Sequence, residues 1–244
     1  MRTIAIVLLL TAGSFAQETI PAGTILPLQL NSSLRSNKVS VGQMVDARLM
    51  QDVPLPGGLR IPAGARVIGH VVSATPASDG KGAEISLRFD TVLSRKKRWA
   101  VITNLRALAT MMDVSEAQVP ESGPDRGTSE YSWTTDQIGG EVNYRGGIAI
   151  VHSSEIVGRS VPDGVLVRVS SKPGTKCRGQ VDGNNQPQAL WVFSSDACGL
   201  YDFPGMILSH AGRTDPVGRI TLISSAGNLN IRAGSGMLLR VNNK

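Results

Sequence analysis

Along residues 85–93, ISLRFDTVL, apolar Ile85, Leu87 and Phe89 alternate with polar Ser86, Arg88 and Asp90. A period of two puts the two sets on opposite faces of a half-buried strand. RWAVITNLRAL follows as its partner, and Ser94, Arg95, Lys96, Lys97 and Arg98 between them make a compact basic turn, so the pair predicts a β-hairpin. Upstream, VDARLMQDV and RVIGHVV have the same strand character. The stretch between them, VPLPGGLRIPAG, carries three prolines and three glycines and excludes a helix. Downstream, GIAIVH, GVLVRVS, ALWVFS, MILSH, RITLIS and MLLRV are apolar runs separated by turns bearing glycine or proline. Residues 111–118 admit one short helix, and no long amphipathic stripe competes with the strands. The chain reads as mainly β.

Three of these strands share a lead-in. IPAGT begins at Ile20, IPAGA at Ile61 and IRAGS at Ile231, and the strands TILPLQL, ARVIGHVV and SGMLLRV follow directly. Proline at Pro21 and Pro62 fixes φ at the first corner of a tight turn, and glycine at Gly23 and Gly64 tolerates the geometry that leaves it. A weaker relative, VPDGVLVRV, begins at Val161. The phrase therefore predicts a turn that sets where a strand enters its sheet. Its irregular spacing excludes a solenoid of constant period.

The order of these features from Ile20 to about Ala109 resembles the C-terminal β-domain of the TrbI family of conjugation and type IV secretion proteins. The residues that carry the resemblance are IPAGTILPLQL, the polar pair Ser36 and Asn37, VGQMVDARLMQDV, IPAGARVIGHV and the strand ISLRFDTVL. It implies a β-barrel or sandwich of the kind that forms part of an envelope-spanning core complex. Channel-building members typically carry a cytoplasmic tail, an inner-membrane helix and a proline-rich arm before the barrel. Here a signal-like segment runs almost directly into IPAGT, so a free-standing exported relative of the module is expected rather than a channel subunit.

That segment is MRTIAIVLLLTAGSFAQ: Arg2, an apolar run over residues 4–10, then small Ser14 and Ala16 before a cut after residue 16. This is a secretory signal pattern, and the run is far shorter than the roughly 20 residues of a spanning helix. Export to the periplasm, the outer-membrane periphery or the medium gives the two cysteines meaning, because an oxidising compartment lets Cys177 and Cys198 bridge. Such a crosslink would lower unfolded-state entropy by roughly 3 kcal/mol on the loop-closure model. Charge divides the chain: residues 20–110 carry net +7, residues 111–141 net −6 and residues 142–244 net +5. Together with the glycines and prolines of residues 111–147, this predicts a basic β-domain at 20–110, an acidic linker or excursion at 111–147, and a second, disulfide-bearing β-domain at 148–244 whose start could lie as early as 130.

Candidate chemistry is sparse. His70, His152 and His210 are isolated and at no metal-ligand spacing, no Gly-x-Ser-x-Gly elbow occurs, and Asp196 and Asp202 read as turn residues. GSGML leads into a strand, whereas a phosphate cradle needs a helix N-terminus. No cofactor is expected. Two surface features stand out. The cluster Arg95, Lys96, Lys97 and Arg98 is either a solvated hairpin tip or a contact for an anionic envelope polymer or lipid head group. Nucleic acid fits less well, since Trp99 is the one aromatic nearby. Trp191, Phe193 and Tyr201, with Phe203, are either core packing beside the cysteine or an aromatic platform for sugars or peptides. The expected function is that of an exported, non-catalytic structural or interaction protein of the cell envelope whose partners are envelope proteins or anionic polymers. A polysaccharide-binding module and a secreted hydrolase are the alternatives.

Overall fold

A computed structural model of the chain describes residues 19–95, 97–118, 132–145, 148–151, 155–169 and 186–242. The predicted signal segment and Cys177 lie outside them. The first half supplies β1 (Ile25–Leu30), β2 (Leu34–Arg35), β3 (Met44–Leu49), β4 (Val53–Pro54), β5 (Arg60–Ile61), β6 (Arg66–Thr75), β7 (Ala83–Ser94), β8 (Lys97–Ala100) and β9 (Thr103–Ala109). The helix α1 (Met111–Gln118) follows, where the sequence admits one. Then come β10 (Ser132–Gln137), β11 (Gly140–Arg145), β12 (Ile148–Val151), β13 (Glu155–Val161), β14 (Gly164–Val167) and β15 (Gln188–Ala189). The last stretch adds β16 (Gly199–Tyr201), β17 (Met206–His210), β18 (Ile220–Ser224), β19 (Asn230–Ile231) and β20 (Gly236–Val241).

The main sheet has ten strands in the order β16-β9-β20-β1-β3-β6-β7-β18-β17, with β8 added on β7. Only β16 against β9 is parallel. The sheet curls until its ends nearly meet: Ala211, just past β17, accepts a hydrogen bond at 2.9 Å from the Leu105 amide of β9, beside the place where β16 pairs with that strand. Near-closure of this kind removes most of the exposed edge that an open sheet would present. Alternation places Leu26, Leu28 and Leu30 of β1, Val45, Ala47 and Leu49 of β3, and Ile85, Leu87 and Phe89 of β7 inside, all buried in one core. Each of these side chains larger than Ala47 contributes about 1.5–3 kcal/mol by leaving water. Gly69 of β6 has no side chain because the Phe89 ring occupies the space. A Cβ there would lie 2.5 Å from the Arg88 carbonyl and 2.8 Å from Phe89 Cδ1.

The strand order corrects the expected division of the chain. β16 to β20 belong to the barrel, so residues 199–241 do not form a second domain with 148–189. The first and last strands of the barrel, β1 and β20, are neighbours, with Leu28 opposite Met237. The second sheet is the meander β10-β11-β12-β13-β14-β15, and its first two strands fall within the stretch expected to be a linker. A separate cluster made by Ile25, Ala107, Ala109 and Leu238 of the barrel's outer wall with Val114, Ile138, Val165, Val167, Leu190 and Phe193 joins this sheet to β9, β20 and β1.

The repeated phrase is a repeated set of three hydrogen bonds. In IPAGT, the Gly23 amide donates to Val241 O at 2.8 Å, the Thr24 amide to Pro21 O at 3.2 Å, and the Val241 amide returns to Thr24 O at 2.9 Å. In IRAGS, Gly234 donates to Leu30 O at 2.7 Å, Ser235 to Arg232 O at 3.2 Å, and Leu30 returns to Ser235 O at 2.9 Å. Each of these turns thus grips the far end of the strand that the other introduces. IPAGA uses the same set on Leu49 at the end of β3. A copy that the sequence conceals, Ser40-Val41-Gly42-Gln43 before β3, uses it on Val71 of β6. The hairpin-like pairs β1/β20 and β3/β6 are therefore latched at both ends. Positive φ at Gly23, Gly42, Gly64 and Gly234, between 80° and 93°, is what the third turn position demands, whereas Pro21 and Pro62 stand at the first position, one residue ahead of the corner expected for them. The phrase at Val161 differs: Val161 lies opposite Gly164 across a tight hairpin between β13 and β14.

Candidate functional site

The barrel has two unlike walls. The outer face of β9, β20 and β1 is sealed by the meander, and two buried glutamines stitch the seam. Gln51 donates from Nε2 to Val165 O at 2.7 Å and accepts from the Trp191 amide at 2.7 Å. Gln188 Oε1 accepts from the Ile25 amide at 2.9 Å. Trp191 and Phe193 pack into this seam at 5% and 0% exposure, and Tyr201 packs against it. Of the rings expected as an alternative ligand platform, Trp191 and Phe193 are thus interior, while Tyr201 and Phe203 are half-buried. Tyr201 is also tied down by its hydroxyl, which accepts from the Cys198 amide at 2.8 Å. Burial pushes its phenol pKa up, against the opposing pulls of that amide and of Arg106. Cys198 itself is buried.

Arg106 lies behind this loop. It is the extra residue of a β-bulge, since Ala107 pairs with Leu238 and Leu105 with Leu239. Its guanidinium, at 2% exposure, donates from Nη2 to Ser195 O at 3.0 Å. Desolvation lowers its pKa to about 10, with Tyr201 and Asp196 acting the other way.

The opposite wall, formed by the outer face of β3, β6, β7 and β8, carries charge. Register sets its rows. Arg48 lies opposite Arg66, Arg66 opposite Leu93, and Leu93 opposite Arg98, so three arginines share one row across four strands. Arg48 donates to Gln29 Oε1 at 2.6 Å, and Arg66 pairs with Asp46 at 3.0 Å. The next row holds Asp46, Ile68, Thr91 and Ala100, and beyond it lie Met44, His70 and Arg88. His70 Nδ1 is 3.1 Å from Asp90 Oδ2, the side chains being 44% and 33% exposed. The predicted hairpin of β7 and β8 forms with Ser94 opposite Lys97. Its residue Arg95 sits at φ 47°, Arg95, Lys97 and Arg98 are exposed, and Trp99 is buried. Lys96 lies outside the described residues.

At one end of the barrel a cavity of about 460 Å³ is lined by Met111, Met206, Phe203, Arg232 and the single carboxylate Asp202, whose φ is 52°. The start of α1 borders it, where the Thr110 hydroxyl accepts from the Asp113 amide and Asp113 Oδ2 accepts from the Thr110 amide, a reciprocal cap. His210 ends β17, its Nδ1 within reach of either the Arg219 carbonyl or the Gly212 amide according to tautomer and its Nε2 3.1 Å from the Asp215 carbonyl. His152 lies outside the described residues. Among the described residues no group of three or more His, Cys, Asp or Glu converges to hold a metal, and no helix is long and apolar enough to cross a membrane.

Sequence reasoning found the hairpin tip but missed Arg48 and Arg66. No local signal marks them, because only the strand register brings them into line with Arg98. No protein-family model matches the chain, and no curated protein matches it.

Proposed function

We propose that this chain is an exported, non-catalytic structural or interaction protein of the bacterial cell envelope, built on a barrel related to the TrbI-family module. The observation that carries this reading is the inequality of the two walls. One wall is covered by a second sheet through an apolar cluster and two buried glutamines, while the other is covered by none of the described residues and bears arginines set in register. A scaffold that closes one side of itself and presents charge on the other is suited to being held against a partner. The signal-like segment at residues 1–16 supports export to the periplasm, the outer-membrane periphery or the medium, where Cys177 and Cys198 would be able to bridge. Fractionation of the native host followed by pull-down and mass spectrometry tests the reading. Recovery in the envelope or culture medium with defined envelope components is expected, and recovery in the cytosol with both thiols labelled would overturn it.

A further inference from the structure

We propose that the row Arg48, Arg66 and Arg98, extended at the hairpin tip by Arg95 and Lys97, binds an acidic polysaccharide laid across the strands. The inference names a partner for the interaction protein proposed above and rests on that reading. Neighbouring strands lie about 4.8 Å apart, so the Cα positions of Arg48 and Arg66 stand about one strand spacing apart, and those of Arg66 and Arg98 about two, within the reach of an arginine side chain. A sugar unit advances an extended chain by a comparable step, so carboxylates on successive or alternate sugars can meet successive guanidiniums. Guanidinium engages a carboxylate with two parallel N–H donors, a geometry suited to a uronate. Arg48 directly opposite Arg66 is a like-charge pair, which disfavours the sheet unless anions compensate it. Within the row the chain supplies one carboxylate, Asp46, to Arg66, and Arg95 and Arg98 have no ion-pair partner among the described residues. Among the described residues, the four arginines Arg48, Arg66, Arg95 and Arg98 face one paired carboxylate, Asp46, a surplus that an external polyanion would neutralise. A single-stranded nucleic acid would need exposed rings for its bases, and Trp99, at 4% exposure, offers none.

The test uses the full mature chain and fluorescently labelled polygalacturonate, titrated over a salt series, with neutral dextran and single-stranded DNA of matched charge as comparisons. Salt-sensitive binding to polygalacturonate is expected, with none to dextran. The triple variant Arg48→Gln, Arg66→Gln, Arg98→Gln should bind roughly tenfold or more weakly, since each exposed charge contact is worth up to about fivefold. Its log–log salt slope should fall by about two to three, one released counterion per lost contact. Replacing the same three residues by lysine should restore the slope while leaving affinity below the parent's. Arg98→Glu, which disturbs no internal pair, should weaken binding in a chain with unchanged circular dichroism. Unaltered binding in the triple variant or in Arg98→Glu would overturn the proposal, as would equal or tighter binding of the DNA with the same dependence on the row. Should pull-down recover envelope proteins while polygalacturonate goes unbound, this inference fails and the broader reading stands.

Discussion

Gln51 offers the sharpest test of how the barrel and meander are joined. Its side chain is fully buried, and its amide answers two backbone groups of the second unit, the Val165 carbonyl and the Trp191 amide, both at 2.7 Å. Gln51→Met keeps most of the volume and removes both hydrogen bonds. It strands one buried acceptor and one buried donor at about 1–3 kcal/mol each, a loss of about 2–6 kcal/mol. Gln51→Ala strands the same groups and also empties the space of the side-chain methylenes, adding about 0.8 kcal/mol for each. Losses of this size are comparable with the total stability of a domain, and they fall on one seam. The expected outcome is therefore regional. Hydrogen exchange should quicken at the amides of Trp191, Phe193 and β14, while the amides of β3 and β6, inside the barrel sheet, keep their protection. Urea unfolding should show an early step in both variants, larger for Gln51→Ala. Unchanged protection at Trp191 in Gln51→Met, or uniform loss across both sheets, would refute the reasoning.

Other outcomes follow from single contacts. Gly69→Ala should destabilise by about 1–3 kcal/mol in denaturant titration, because its Cβ meets the Arg88 carbonyl and the Phe89 ring; Phe89→Leu should not rescue it, since the nearer obstacle is backbone. Thr110→Ala should cost about 1 kcal/mol by removing the cap of α1, measured by thermal unfolding, whereas Thr110→Ser should be nearly silent. Tyr201 titrates above its ordinary range in the fold because burial disfavours phenolate. The unfolded chain thus loses that proton first, and stability from Tyr201 is full below pH 10 and declines as pH rises above it. Absorbance titration of tyrosinate should show a late component that Tyr201→Phe abolishes, and its persistence in that variant would contradict the assignment.

Much of the local structure was legible because local chemistry dictates it. Proline fixes its own φ and glycine alone readily takes the positive φ of the third turn position, so IPAGT and IPAGA announce their turns. The β7–β8 hairpin follows from two alternating runs with polar residues between. The latch at Ser40 to Gln43 went unnoticed because only Gly42 marks it, and one glycine carries little information by itself. What failed was the boundary. Beyond the short helix admitted at 111–118, the acidic, glycine-rich stretch to 147 reads as a linker, yet β10 and β11 form there, near the earliest start of 130 allowed for the second domain. The chain then returns to the barrel, where β20 slots between β9 and β1, its β1 partners lying more than two hundred residues away, as in the contact of Gln29 with Gly234. Pairing over such distances leaves no periodic mark. The arginine row is hidden for the same reason, since Arg48, Arg66 and Arg98 align only once three strand registers are fixed. Trp191 and Phe193 were conspicuous as aromatics, but composition does not distinguish a ring that faces a ligand from one that fills a seam.

The central claim is that the two walls differ in purpose, one sealed and one open to an envelope partner. Site-specific photocrosslinking in the native host tests it most directly, with the photoreactive residue placed at Arg88 or Met44 on the open wall and at Ile25 or Leu238 on the sealed one. The account requires adducts with an envelope component from the open wall, and intramolecular adducts alone from the sealed wall. Equal intermolecular capture from both walls, or capture from the sealed wall only, would contradict it.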